Sequence, residues 1–364
     1  MERADLYERV GQWMTGVGNE SDAVISSRVR LARNAAGHRF MTRASLEERR
    51  ELATKLRAAV ERTRALPDME YWDLEVLPPV DRQLLVERHL TSREHAEAEG
   101  PRGVAISGDE GISVMINEED HLRAQVLCGG FALENAWTIM SRLDAAIERE
   151  VPYAFDPEFG YLTACPTNVG TGLRVSVMLH LPALSMTREL QRVFTAAAKI
   201  DFIVRGLYGE GTQGYGDFFQ ISNQKTLGRS EKEILGNLVT VIPQVIRYER
   251  KVRQGMFSGH RRQVEDRIWR AHGILRNARM ISSEETLHLL SQLRLGVNLG
   301  LVTDLDMPTI HKLFVLTQPA HLQKIEGREL ESQERDAVRA DFLRKCLAGE
   351  GTPPHDRSQK HPEP

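Results

Sequence analysis

Cysteine is scarce: three in 364 residues, Cys128, Cys165 and Cys346. So few, and an odd number, exclude a disulfide framework and suit a reducing compartment. No apolar run approaches the length that spans a bilayer. The N-terminal MERADLYERVGQW mixes charges where a secretory signal would carry an apolar core. The sequence therefore reads as cytoplasmic, with no membrane partner. A net charge of -3 exerts no global pull toward nucleic acid, and no internal repeat is present. A Walker motif with its lysine is also missing.

What is there is ordinary in bulk, with 41% hydrophobic and 27% charged residues. Arginine greatly outnumbers lysine. That bias becomes informative only if particular arginines converge on one site. A G-x-G-x-x-G spacing occurs at Gly209, Gly211 and Gly214 in GEGTQGYG. A dinucleotide site needs a helix directly behind such glycines. Here DFFQISN follows, which is rich in aromatic and β-branched residues and predicts a strand. Without a helix N-terminus there is no row of free N–H groups for a phosphate. The segment reads instead as a hairpin-like mobile loop carrying one acid, Glu210.

Along the chain, DAVISSRVRLARN alternates so that Arg28 and Arg30 fall on one side of an extended segment. SLEERRELATKLRAAVERT has helical spacing. GVAISGDEGISVMINEEDHLR predicts a hairpin turning at GDEG. The next element read is a helix with Leu133, Ala136, Trp137, Met140, Leu143 and Ile147 on one stripe. YLTACPTNVGTGLRVSVMLHLP predicts strand, glycine turn and strand, and TRELQRVFTAAAKI an amphipathic helix. Ser230 and Glu233 have capping-box spacing at the start of a long helix, and Ser282 with Glu285 repeats it. The expected architecture is α+β: residues 1–254 a catalytic domain with a largely antiparallel sheet flanked by helices, 255–350 an all-α domain, and 351–364 a polar, proline-rich disordered tail.

Four segments hold the candidate chemistry: SSRVRLAR, NEEDHLR, CPTNVGTGLR and RGLYGEGT. Singly, each has a plainer reading. Arg28 and Arg30 alone suit a solvated strand face, NEEDHLR a helix start, Cys165 a small buried residue, and His121 a structural hydrogen bonder. Together, and in this order, they resemble the phosphagen, or guanidino, kinases over about residues 20–250. That resemblance implies phosphoryl transfer between ATP and guanidinium compounds, with Mg2+ entering on the nucleotide and no dedicated protein metal site. It implies that Arg28, Arg30, Arg123, Arg174 and Arg205 bind nucleotide phosphates and that His89 packs on adenine. Met178 and Gly211 stand where relatives often carry further histidines. Glu119 and Glu210 correspond to the acids that clamp the guanidinium, with Glu119 as proton acceptor. Cys165 corresponds to the reactive cysteine that tunes and positions the guanidinium, and Thr167 could hydrogen-bond its thiolate.

Only about twenty-five residues precede SSRVR, where ordinary phosphagen kinases carry a helical domain that helps enclose the small substrate. A helical region follows the catalytic segments instead. This arrangement is similar to the bacterial protein-arginine kinase branch. That branch implies phosphoarginine formation on exposed arginines of protein substrates, a heat-shock repressor among them. It also implies stress response, marking for the Clp protease system, a small activator protein and a homodimer. RDAVRAD places Arg335 and Arg339 on one helix face and resembles the branch's phosphoarginine-binding R-D-x-x-R-A motif. There Arg335 and Arg339 would grip phosphate and Asp336 the guanidinium; by spacing alone the segment reads as a salt-bridged surface helix. Two rival functions stand beside this one: a kinase of a free small guanidino compound, and a non-catalytic adaptor or regulator.

Overall fold

The protein is described by a computed structural model covering residues 11–63, 69–206 and 215–349. The glycine-rich loop with Glu210 and Gly211, and the tail 351–364, lie outside the described residues.

Ten strands are present among them: β1 (Val24–Arg33), β2 (Met69–Asp73), β3 (Gly103–Ser107), β4 (Ile112–Ile116), β5 (Leu122–Gly129), β6 (Phe155–Asp156), β7 (Gly160–Tyr161), β8 (Leu173–His180), β9 (Phe202–Gly206) and β10 (Phe218–Asn223). Eight of them form one antiparallel sheet in the order β2-β3-β4-β5-β1-β8-β10-β9, and β6 pairs with β7. β1 lies at the centre, bonded to β5 on one side and β8 on the other.

The helices up to the end of the sheet are α1 (Leu46–Arg62), α2 (Pro79–Glu87), α3 (Arg93–Glu97), α4 (Leu133–Glu150), α5 (Pro182–Met186) and α6 (Leu190–Ala198). After β10 the described chain is helical: α7 (Glu231–Gly259), α8 (Arg261–Asn277), α9 (Ser283–Asn298), α10 (Met307–Leu316), α11 (Pro319–Glu326) and α12 (Ser332–Leu347). The capping box at Ser230–Glu233 is formed and starts α7 where the sequence places it. At α9 Ser282 caps Glu285 N–H without the reciprocal bond, and a further box, at Ser45–Glu48, starts α1.

The period-2 alternation of β1 explains the layering. Val29 and Leu31 enter a core with Val126 of β5, Val175 and Val177 of β8, Met140 and Leu143 of α4, and Leu238 and Ile242 of α7. Each such side chain contributes roughly 1.5–3 kcal/mol on burial. Arg28 and Arg30, one residue out of phase, face the opposite side. A second core joins Ile268, Leu290, Leu293, Ile310 and Leu343, and Met256 near the end of α7 belongs to it. The long helix α7 therefore contributes to both cores.

Two expectations need correction. The segment after NEEDHLR is not a direct lead into a helix: β5 intervenes, and residues 117–121 form the tight turn between β4 and β5. The polar Arg123 and Gln125 face the open side of β5, and they mask its strand pattern. The stretch before Cys165 is not a full strand. It holds only the two-residue β7, and a single 3-10 turn at Pro166–Asn168 follows the cysteine.

Candidate active site

The open face of the sheet is an arginine floor. Arg28 and Arg30 come from β1, Arg123 from β5, Arg174 from β8 and Arg205 from β9. Register brings them together: Arg30 pairs with Arg174 across β1 and β8, and Arg123 lies opposite Ala32, two residues further along β1. All five line one cavity of about 650 Å3, with Glu118, Glu119, Ser92, His95 and Gln220. The glycine turn before β8 sets this register. Gly172 has φ +62°, and a Cβ there would lie 2.5 Å from the carbonyl oxygen of Ala32. Glycine alone lets the turn press against β1.

Neutral groups only partly satisfy the floor. Arg28 donates through Nη2 to Gln220 Oε1 and weakly, at 3.5 Å, from Nε to Ser176 Oγ. Arg174 Nη2 donates to Ser222 Oγ at 3.1 Å. The Nε atoms of Arg30 and Arg174 are buried without any hydrogen-bond partner. Burial, then the neighbouring guanidinium groups Arg123 and Arg174, lower Arg28 to about 10. Burial with Arg205 and Arg123 brings Arg174 to about 10. Arg30 lies well below its ordinary value for the same reasons, burial foremost. A set of partly desolvated, mutually repelling cations with spare donors is a site for a multiply charged anion.

Arg123 differs, because Nη1 donates to both oxygens of Glu118 at 2.8 Å. Burial opposes the charge on Glu118, but Arg123 and hydrogen bonds from Glu119 N–H and Ser92 hold it down at about 2. Glu119, next to it, is exposed at the cavity rim. Partial burial, then the adjacent Asp120 carboxylate, raises its pKa above the ordinary glutamate value, while Arg123 and the Cys165 side chain oppose the shift. Glu119 and Cys165 therefore meet. Cys165 Sγ lies 3.0 Å from Thr167 Oγ1, the contact expected of those residues. Asp120 ties the two segments, accepting from Ala164 N–H and Asn34 Nδ2, each at 2.6 Å. His121 is structural: Nδ1 accepts from Ala35 N–H at 3.0 Å and Nε2 bonds to Arg39 O at 2.9 Å.

His89 does not reach the arginine cavity. It lines a narrow, mostly apolar slot beside it, with Met178, Phe218 and Trp13. Arg28 and Gln220 border both spaces. Burial and then Arg28 lower His89 to about 4, so the ring is neutral at pH 7. It stands edge-on to Trp13, with centroids 5.3 Å apart. The second acid clamp, Glu210, lies outside the described residues. Among these no three His, Cys, Asp or Glu side chains group as a metal site.

The C-terminal triad is placed on α12. Arg339 is 1% exposed, and its guanidinium donates from Nε to Thr317 O and from Nη1 to Ile281 O and Asp336 Oδ1, at 2.6–2.8 Å. Arg335 is half-buried, with Nη1 donating to Leu330 O. Sequence reasoning missed Glu118, Ser92, Gln220 and Ser222. Gln220 and Ser222 alternate along β10 toward the arginines, a signal present in DFFQISN. The partnership of Glu118 with Arg123 had no signal beyond proximity.

The chain matches two family models end to end: the C-terminal catalytic domain of ATP:guanido phosphotransferases over residues 51–252, and the protein-arginine kinase McsB C-terminal domain over residues 261–359. The protein-arginine kinase of Halothermothrix orenii is 45% identical, covering 95% of this chain and 99% of that one. That of Symbiobacterium thermophilum is 48% identical, covering 93% and 96%. Among solved structures, a lombricine kinase superposes with a TM-score of 0.59 at 26% identity, over 66% of this chain and 70% of that one.

Proposed function

Because the chain belongs to the ATP:guanido phosphotransferases, and within them to the protein-arginine kinases, we propose that its arginine floor and Glu119 carry out transfer of the ATP γ-phosphoryl group to arginine side chains of proteins. The observation that carries this reading is the pair of buried, unpartnered Nε atoms on Arg30 and Arg174, in a floor that shares its cavity with Glu119.

Arginine holds its proton with a pKa above ~12, so a free neutral nucleophile is nearly absent. In the proposed step Glu119 takes a guanidinium proton as the N–P bond forms and the bond from the γ-phosphorus to the β-bridging oxygen breaks. ADP leaves with its negative charge held by Arg28, Arg30, Arg123, Arg174 and Arg205. The raised pKa of Glu119 makes it a better base than an ordinary surface glutamate. Cys165 steadies the same guanidinium edge, and Glu210 is assigned the opposite one. Alignment and charge neutralisation supply most of such a transfer, with alignment worth up to ~7–11 kcal/mol. Mg2+ is assigned to the nucleotide's phosphate oxygens and water.

The finer assignments are part of the same proposal. Residues 1–254 would form the catalytic unit and 255–350 a recognition unit, in which Arg335 and Asp336 receive phosphoarginine while Arg339 braces α12 from beneath. The cellular role would be stress response in the cytoplasm, by marking proteins for Clp degradation, with a heat-shock repressor as a substrate and a small activator protein and a second copy of the chain as partners.

The test is incubation with Mg–ATP and a mixed protein pool, then mass spectrometry under conditions that spare acid-labile N–P bonds. Phosphoarginine on proteins is the expected product. Phosphate found only on an added free guanidino compound would move the chain to the small-substrate reading. ATP binding without any transfer would move it to the adaptor reading.

A further inference from the structure

We propose that α9 and α10 of the helical region form one wall of the nucleotide-base slot, so that base binding is thermodynamically linked to the seating of these helices on the sheet. This rests on the reading that the arginine floor holds the triphosphate. The slot opens off that floor, since Arg28 and Gln220 border both. A nucleotide with its phosphates on the arginines therefore directs its base past these two residues. On the sheet side the slot is lined by Met178 and Phe218, and on the other by Leu287 of α9 and by His311 and Phe314 of α10. Phe314 meets Phe218 edge-on, with centroids 4.7 Å apart. The wall and the sheet thus touch at the slot itself.

A buried polar network fixes this wall. Arg294 of α9 is fully buried and donates to Ser21 O, Asp22 O, His180 Nδ1 and His311 Nε2. Ser291, one turn earlier, bridges His180 Nε2 at 2.9 Å and Asp217 Oδ2 at 2.7 Å. Each partner outside α9 and α10 belongs to the sheet or its borders, so the helices seat by filling all of these bonds together.

The network also sets the slot's chemistry. His311 accepts from Arg294 at Nε2, so the proton of the neutral ring sits on Nδ1, which is left as a donor. Trp13 adds a second donor: its indole Nε1 is buried without a partner, and its ring lines the same slot. The rings of Trp13, Phe218 and Phe314, with a polar edge at Arg28, Ser176 and Gln220, complement a purine, whose faces stack on aromatic side chains and whose edge bears hydrogen-bonding groups. At about 60 Å3 the slot is narrow, so a base enters by displacing side chains of the wall. By reciprocity, whatever shifts α9 and α10 changes ATP affinity by the factor by which ATP shifts them.

The experiment compares Mg–ATP with Mg–tripolyphosphate, which shares the phosphates and lacks the base. In the wild-type chain ATP alters amide hydrogen exchange in α9 and α10, and tripolyphosphate leaves it unchanged. Calorimetry on Phe314→Trp, which fills the slot, gives ATP binding weakened about tenfold with tripolyphosphate affinity retained. Exchange that responds equally to both ligands, or to neither, overturns the proposal, and so does equal loss of both affinities in a folded Phe314→Trp. If Arg30→Met leaves tripolyphosphate affinity intact, the phosphate reading fails instead, and the two failures are thereby told apart.

Discussion

Arg30, Arg174 and Arg339 are each at least partly withdrawn from water, yet they are opposites in what surrounds them. Arg30 and Arg174 keep buried Nε atoms with no partner. Arg339 spends its guanidinium on two carbonyls and a carboxylate. Arg294, also fully buried, is engaged at Nε and both terminal nitrogens. Burial alone therefore does not distinguish a binding arginine from a bracing one. A buried donor left unmade costs about 1–3 kcal/mol. Arg33 carries a like orphan Nε while Asp144 and two carbonyls hold its terminal nitrogens. The floor is therefore marked by orphan donors on arginines that line a cavity and face no carboxylate of their own. The two sets predict opposite mutational signatures: loss of ligand with the fold intact, or loss of the fold with the ligand site intact.

The largest effect belongs to the acid beside the floor. Glu119→Gln should slow phosphoryl transfer on the order of 10³-fold while leaving the ATP dissociation constant near its wild-type value. Rapid-quench kinetics beside calorimetry separates the two. The raised pKa of Glu119 adds a pH signature. The residue acts deprotonated, so kcat/KM rises with pH through a limb that lies above the ordinary glutamate range. Burial of that carboxyl raises the limb, and a limb at or below the ordinary range removes Glu119 as the base.

Next comes the direct confrontation of the two arginine classes. Arg30→Met should weaken ATP about a hundredfold, the worth of a lost charge-assisted contact with phosphate. Its melting temperature should hold or rise, because a desolvated cation repelled by its neighbours is gone. Arg339→Met should do the reverse. It strands Thr317 O, Ile281 O and Asp336, and should cost about 3 kcal/mol in denaturant unfolding, with ATP affinity unchanged. A stable Arg339→Met, or an unstable Arg30→Met that still binds ATP, breaks the distinction.

How much of this was legible in the sequence follows the same line. Alternation along β1 put Arg28 and Arg30 on one face, and capping chemistry placed the starts of α7 and α9, because both signals are local. The convergence of Arg123, Arg174 and Arg205 on Arg30 depends on strand order, in which β8 lies beside β1 although more than a hundred residues separate them in the chain. Spacing carries no such information, and the family resemblance supplied it. β5 escaped because Arg123, which lines the cavity, and Gln125, which bonds His89 O and Ser113 Oγ, put polar side chains into the strand and blurred its hydrophobic pattern. In Arg335-Asp336-Arg339 the i,i+4 spacing set Arg335 and Arg339 on one face. It gave no sign that α12 turns Arg339 inward to hold the ends of two other helices.

The comparison extends to acids, where it yields the smallest effect. Glu249 of α7 is 1% exposed, and its partners are the neutral N–H groups of Ala183 and Leu184 at 3.1 and 3.0 Å. Burial raises its pKa to about 7, against those two hydrogen bonds and Arg253. Since the folded-state value lies above the unfolded one, this residue's stabilising contribution is complete below about pH 4.5 and is lost as pH rises through about 7. Glu249→Gln keeps the shape and an accepting oxygen but cannot ionise. Its unfolding free energy should match the wild type at about pH 4 and exceed it by at most about 3 kcal/mol above about pH 8. Parallel pH profiles for the two proteins would instead mean that Glu249 is satisfied as a carboxylate, and that neutral donors suffice for a buried acid where the floor's neutral acceptors do not suffice for its arginines.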